Sequence, residues 1–182
     1  IANNAAAAKQ GKPFFLYLAL TAPHTPISPH PDFQGKTPLG NYGDFLQDTD
    51  HCVVRTLAAL KQHGLDQDTM VIFTSDHGPG AYAGNQKQAT FNNIKILEQL
   101  GHFPSGIYRG YKFSIYEGGF RVPFVIKWPG TVKPGSTCNR LVGLNDLMAT
   151  LAEITGALLT DQQAVDSISY LPLLKNPHTQ AP

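Results

Sequence analysis

Apolar positions along the chain fall into short continuous runs and helical stripes, separated by Gly- and Pro-rich stretches. Phe14 to Leu20 (FFLYLAL) is uninterrupted and of strand length. A run apolar at every position predicts a central strand covered on both faces. Pro23, Pro26, Pro29, Pro31 and Pro38 follow and exclude regular structure there. Between Asp44 and His63, Leu46, Val53, Leu57 and Leu60 recur at helical spacing, and Gly64 fits the position just past a helix end. Met70 to Thr74 predicts a second strand, running straight into Ser75-Asp76-His77-Gly78. Val122 to Trp128 predicts a third, ended by Pro129-Gly130. Asn145 to Gly156 predicts a last helix with Leu147, Leu151 and Ile154 on one face. Residues 79–111 form a long Gly-, Asn- and Gln-rich excursion with one short helix expected from Asn92 to Leu100. Within a domain, irregular segments of that length usually serve function. Ala5 to Ala8 reads as the last turn of a helix begun upstream, so the chain is expected to start inside a domain. Strand, helix, strand, long loop, strand, helix describes an α/β layered sheet.

Composition narrows the function classes. The 182 residues carry 14 basic and 13 acidic side chains, a formal net charge of +1, which gives no electrostatic footprint for a nucleic acid. No apolar run approaches the roughly 20 residues of a membrane span. Hydrophobic residues at 42% suffice for one core, while 17 Gly and 14 Pro make the chain rich in turns. Cys52 and Cys138 form neither a disulfide framework nor a metal set. They read as two buried thiols or one long-range disulfide, which leaves the redox compartment open.

Three groups of residues can carry chemistry. Asp76 and His77 follow a strand directly, and ligands in open α/β sheets bind at the carboxyl ends of strands. A carboxylate and an imidazole there can hold a metal; equally, the Asp can close a turn beside a surface His. His24 sits in Thr21-Ala22-Pro23-His24-Thr25-Pro26, where prolines stiffen the backbone around a proton-transfer or hydrogen-bonding imidazole. Lys112, in Arg109-Gly110-Tyr111-Lys112 ahead of Gly118-Gly119, can bind an anionic oxygen as a compact charge or stay solvated. Glu117 and Arg121 read as a structural ion pair. In the excursion, Asn85, Gln86, Gln88 and Asn92 can hydrogen-bond a sugar or solvate a loop.

Taken together, the stretches KPFFLYLALTAPHTP (12–26), DTMVIFTSDHG (68–78), YRGYKFSIYEGGFRVPFVIKWPG (108–130), DLMATLAEITG (146–156) and DSISYLPLL (166–174) resemble the sulfatase family of the alkaline-phosphatase-like superfamily. The resemblance implies an α/β fold, a mixed sheet flanked by helices, of which residues 1–182 would be the C-terminal part with the N-terminal part absent. It places Asp76 and His77 on two ligands of the divalent metal, usually calcium. His24 falls on the histidine that contacts sulfate or protonates the leaving group, and Lys112 on the lysine that holds a sulfate oxygen. The implied substrate is an aryl or carbohydrate sulfate ester, and family habit implies a periplasmic, secreted or lysosomal-type location.

The departures matter as much. Sulfatases use a formylglycine made in a C-x-[PA]-[ST]-R motif, and none occurs here; Cys52-Val53-Val54-Arg55 lacks the small residues and lies mid-helix. The nucleophile and the remaining metal ligands are expected upstream, so the 182 residues alone should not turn over substrate. A truncated sheet is also expected to self-associate through its open edge. Two competing readings remain. One is a phosphonate monoester or phosphodiester hydrolase of the same superfamily, with Mn²⁺ or Zn²⁺ at Asp76-His77. The other is a non-catalytic binding protein that keeps the fold.

Overall fold

A computed structural model of the chain describes residues 1–82 and 94–179. The chain divides into two compact units: residues Ile1–Asp66 with Thr74–Phe124, and Gln67–Phe73 with Val125–Pro182.

In the first unit, α1 (Ala2–Lys9) is followed by an extended stretch, a short 3₁₀ turn (Pro31–Phe33) and the long α2 (Gly40–Gln62). Helix α2 starts earlier than its apolar spacing predicts. It ends as expected: Gly64 takes φ +62°, and the N–H groups of Gly64 and Leu65 close on the carbonyls of Lys61 and Leu60 at 3.0 and 2.9 Å. Ile27, Tyr42, Phe45 and Leu97 form the core, with Ala22 and Leu46 packed against it. The first turns of α2 and Leu60 near its end are its buried parts, while Val53 and Leu57 are only half-buried. Asp44 is buried within the same turn at 1% exposure. Its carboxylate accepts from the backbone N–H groups of Gly35, Lys36 and Thr37 at 2.7–3.1 Å, folding that loop onto α2. Two short helices complete the unit, α3 (Ile94–Gln99) and α4 (Glu117–Phe120). Helix α3 lies within the predicted 92–100 span, of which Asn92 and Asn93 are outside the described residues.

The second unit holds α5 (Asp146–Thr155) and α6 (Leu171–Lys175). Gly156 ends α5 with φ +71°, as its position in the sequence predicts. Asn145 does not cap the helix with its side chain; instead its amide donates to the carbonyl of Asp166 at 2.5 Å. Thr150, fully buried, donates to the Asp146 carbonyl at 2.7 Å and accepts from the N–H of Tyr170 at 3.0 Å, which ties α6 to α5. The Asp146 carboxylate takes the N–H of Gly143 at 2.7 Å and of Ile168 at 2.9 Å.

Strands β1 (Val71–Thr74) and β2 (Phe124–Lys127) pair as a two-stranded sheet, both within the predicted spans. The first predicted strand is corrected. Residues 14–20 form no regular element, and Phe15 and Tyr17 are 75% and 80% exposed. A strand is held by backbone bonds to a neighbour, and apolarity alone cannot supply one. Strand β1 is also less buried than a central strand, with Phe73 40% exposed. Cys52 and Cys138 are both free; Cys52 is half-buried in α2 and Cys138 is exposed, so neither is the buried thiol anticipated. Among the described residues no helix is long and apolar enough to cross a membrane.

Candidate active site

The four residues singled out in the sequence all belong to the first unit, and the backbone that carries them is packed through glycine. Gly78 N–H donates to the carbonyl of Gly119 at 2.8 Å, and Gly118 N–H to that of Arg109 at 2.9 Å. A Cβ at Gly78 would lie 1.9 Å from the Gly118 oxygen, and one at Gly118 would lie 2.1 Å from the Gly110 oxygen. Any side chain at these points would push the Asp76-His77 turn off the 109–119 loop. The Lys112 N–H adds a third tie, donating to the carbonyl of Pro79 at 2.8 Å.

The 109–119 loop is held further by its own side chains. Tyr111 donates a very short hydrogen bond to Glu98, and Lys95 pairs with the same carboxylate at 2.6 Å, so α3 anchors the residue next to Lys112. Lys95 first and Tyr111 second hold the Glu98 carboxyl below its ordinary range. Arg109 lies 4.0 Å from the centre of the Tyr116 ring, and Arg121 bonds Glu117 at 2.5 Å, the ion pair expected from sequence. Phe113, beside Lys112, has φ +73°. A bulky residue in that region costs about 1–2 kcal/mol and persists because its surroundings fix it.

His24 and Lys112 are brought together through a residue that the sequence reading passed over. Lys112 Nζ donates to Tyr82 Oη at 3.0 Å, and Tyr82 Oη lies 3.2 Å from His24 Nε2. His24 Nδ1 is 2.6 Å from the carbonyl of Thr25. A carbonyl only accepts, so Nδ1 carries the hydrogen and Nε2 faces Tyr82. Ile27, at the end of the same loop, is buried at 1% exposure and seats it on the core. His24 is thus placed by a packed loop rather than by a preceding strand. A lone aromatic in the Gly-rich stretch after Asp76-His77 was the available signal for Tyr82.

Asp76 and His77 form their own pair. The Asp76 carboxylate takes the N–H of His77 at 3.1 Å, and its Oδ2 lies 3.2 Å from His77 Nε2. His77 Nδ1 donates to the carbonyl of Gly78 at 2.8 Å, which leaves Nε2 facing the carboxylate. In a neutral ring, Nε2 and the carboxylate oxygen are then both acceptors. Among the described residues no group of three or more His, Cys, Asp or Glu could hold a metal ion. Asn85, Gln86, Gln88 and Asn92 lie outside the described residues. A surface depression of about 480 Å³ between 133–137 and 175–178 is lined by none of the site residues.

The family model for Sulfatase matches residues 1–157. N-acetylgalactosamine-6-O-sulfatase of Bacteroides thetaiotaomicron is 40% identical over 164 residues, covering 90% of this chain and 30% of that protein. Steryl-sulfatase of Mus musculus is 34% identical over 166 residues, covering 91% of this chain and 25% of its own length. A solved Bacteroides thetaiotaomicron structure, described under the metabolism of multiple glycosaminoglycans, superposes with a TM-score of 0.85 at 36% identity. It covers 100% of this chain and 36% of that one. The solved neighbours have the alkaline-phosphatase-like fold, of which this chain carries a small mixed helix and sheet part. The chain therefore spans less than a third of the curated relatives it matches.

Proposed function

The chain belongs to the sulfatase family, and we propose that it is the C-terminal part of the catalytic domain of a metal-dependent sulfuric ester hydrolase. One observation carries the reading: His24 Nε2 and Lys112 Nζ converge on a single oxygen, at 3.2 and 3.0 Å. A fixed ammonium beside an imidazole suits an anionic ester, because charge must be neutralised at the group under attack and a proton supplied to the oxygen that leaves. Lys112 is the charge-bearing partner, and His24 reaches the ester oxygen through Nε2, which must take up a proton before it can donate one.

Asp76 and His77 would hold the metal as two of its ligands. Their two acceptor atoms lie 3.2 Å apart, close enough for one cation to be shared between them. One oxygen and one nitrogen are too few for a complete site, so further ligands must come from elsewhere. Calcium is the expected ion. When bound, it would supply Lewis-acid stabilisation of developing negative charge.

No C-x-[PA]-[ST]-R motif lies in these 182 residues, so the formylglycine nucleophile is assigned to sequence upstream, and the fragment by itself is inactive. The substrate is a sulfate ester, and the relatives' names cover both a sugar and a sterol. The exposed Phe15, Leu16, Tyr17 and Leu18 make self-association of the isolated chain the expected behaviour, measurable by size-exclusion chromatography with light scattering. A periplasmic, secreted or lysosomal-type location is proposed with the family.

The test is the coding sequence upstream of Ile1, read in frame. A C-x-[PA]-[ST]-R motif after a strand bearing paired aspartates is expected, together with aryl sulfate hydrolysis by the extended chain and none by residues 1–182. A start codon at Ile1, or robust hydrolysis by the 182 residues alone, refutes the reading.

A further inference from the structure

Tyr82 occupies the point where the two polar groups of the site meet, with its hydroxyl in hydrogen-bond reach of both. Lys112 has donors only, so it donates to Tyr82 Oη at 3.0 Å. His24 Nδ1–H is committed to the Thr25 carbonyl at 2.6 Å. When the ring is neutral, Nε2 is an acceptor and the Tyr82 hydroxyl, 3.2 Å away, donates to it. A single chain of donors runs Lys112, Tyr82, His24, Thr25.

The ring of Tyr82 is seated rather than loose. It packs on Gly80, where a Cβ would lie 2.7 Å from the ring, and meets His24 edge to face with centroids 5.8 Å apart. Lys112 Nζ lies 5.7 Å from its centre. Yet the hydroxyl that Lys112 holds is a neutral oxygen in a place that favours an anionic one, because a charged acceptor bonds an ammonium more strongly than a phenol does.

We infer that Tyr82 Oη is a displaceable stand-in for an ester oxygen, a plug that a tetrahedral oxyanion must push aside to reach His24 and Lys112. The inference rests on the sulfate-ester reading above and adds a residue which that reading does not require. The plug lowers affinity for small free anions and leaves the site to ligands with enough other contacts to displace it.

The experiment is a titration of the 182-residue chain with inorganic sulfate, followed by the ring ¹⁵N resonances of His24 and by calorimetry, in the parent, Tyr82→Phe and Lys112→Ala. Phenylalanine keeps the packing on Gly80 and removes only the competing hydroxyl. Tyr82→Phe is expected to bind sulfate about 5- to 10-fold more tightly, the effect of relieving about one hydrogen bond of competition, and Lys112→Ala to lose binding. Damage to the fold would weaken binding, so a gain is specific to the plug. If Lys112→Ala loses binding while Tyr82→Phe is unchanged or weaker, the plug is refuted and the ester site stands. If the parent and both variants bind no sulfate, the plug is refuted, while the ester reading is decided separately by the upstream coding sequence.

Discussion

Replacing Gly78 by alanine tests the glycine packing that holds the candidate site together. The added Cβ would sit 1.9 Å from the Gly118 carbonyl oxygen and 2.9 Å from its carbon, both backbone atoms that cannot swing aside. Restoring a separation of even 3.0 Å requires the two loops to part by about 1 Å. The hydrogen bond from Gly78 N–H to Gly119, now 2.8 Å, would not survive that movement. Overpacking of this kind costs about 1–3 kcal/mol and the lost bond about 0.5–1.5 kcal/mol. Alanine stiffens the unfolded chain and returns about 0.4–1 kcal/mol, so the net loss is about 2 kcal/mol. For a chain of this length that lowers Tm by roughly 4–8 °C. Thermal and urea unfolding of Gly78→Ala against the parent measure it, and amide exchange at residue 78 should quicken in parallel. An unchanged or raised Tm, which the unfolded-state effect alone would produce, would show that the Asp76-His77 turn and the 109–119 loop are not packed as described.

Three further outcomes follow from the buried polar groups. Burial works against ionisation of Asp44, but the N–H groups of Gly35, Thr37 and Lys36 outweigh it and hold the carboxyl below its ordinary 3.8. Its stabilisation is complete above pH 3.8 and is lost as pH falls through the lower folded value. Asp44→Ala should flatten that acid limb in a stability-versus-pH series, and an identical limb would refute the assignment. Burial first, and the Asp146 charge second, push the Tyr170 phenol up to about 12 from 10.0. The unfolded chain loses this proton first, so stability falls by roughly 2 kcal/mol between these values as pH rises; Tyr170→Phe should remove the fall in alkaline urea titrations. Thr150→Val deletes the acceptor for Tyr170 N–H and should cost about 1–3 kcal/mol, read from the urea midpoint, with a loss under about 0.5 kcal/mol contradicting the latch between α5 and α6.

Local signals in the sequence carried the elements whose causes are local. Gly64 and Gly156 end helices because both take left-handed backbone angles, φ +62° and +71°, that other residues avoid. The β-branched run before Asp76-His77 and the run at 122–128 gave strands because the pattern and the chemistry there agree. The family, too, was legible in motif order, since spacing along a chain is a one-dimensional property, and the family model matches residues 1–157. Apolarity at Phe14 to Leu20 predicted a buried central strand, and the structure overturns it: those residues are irregular and largely exposed. A strand is a property of a pair of segments, and no single segment encodes its partner. The same reason hid Tyr82. It touches His24 across 58 positions and Lys112 across 30, and nothing in its own neighbourhood predicts either. Residue types and helix ends were settled by the sequence; which oxygen stands between the imidazole and the ammonium was decided only by the tertiary packing of three loops.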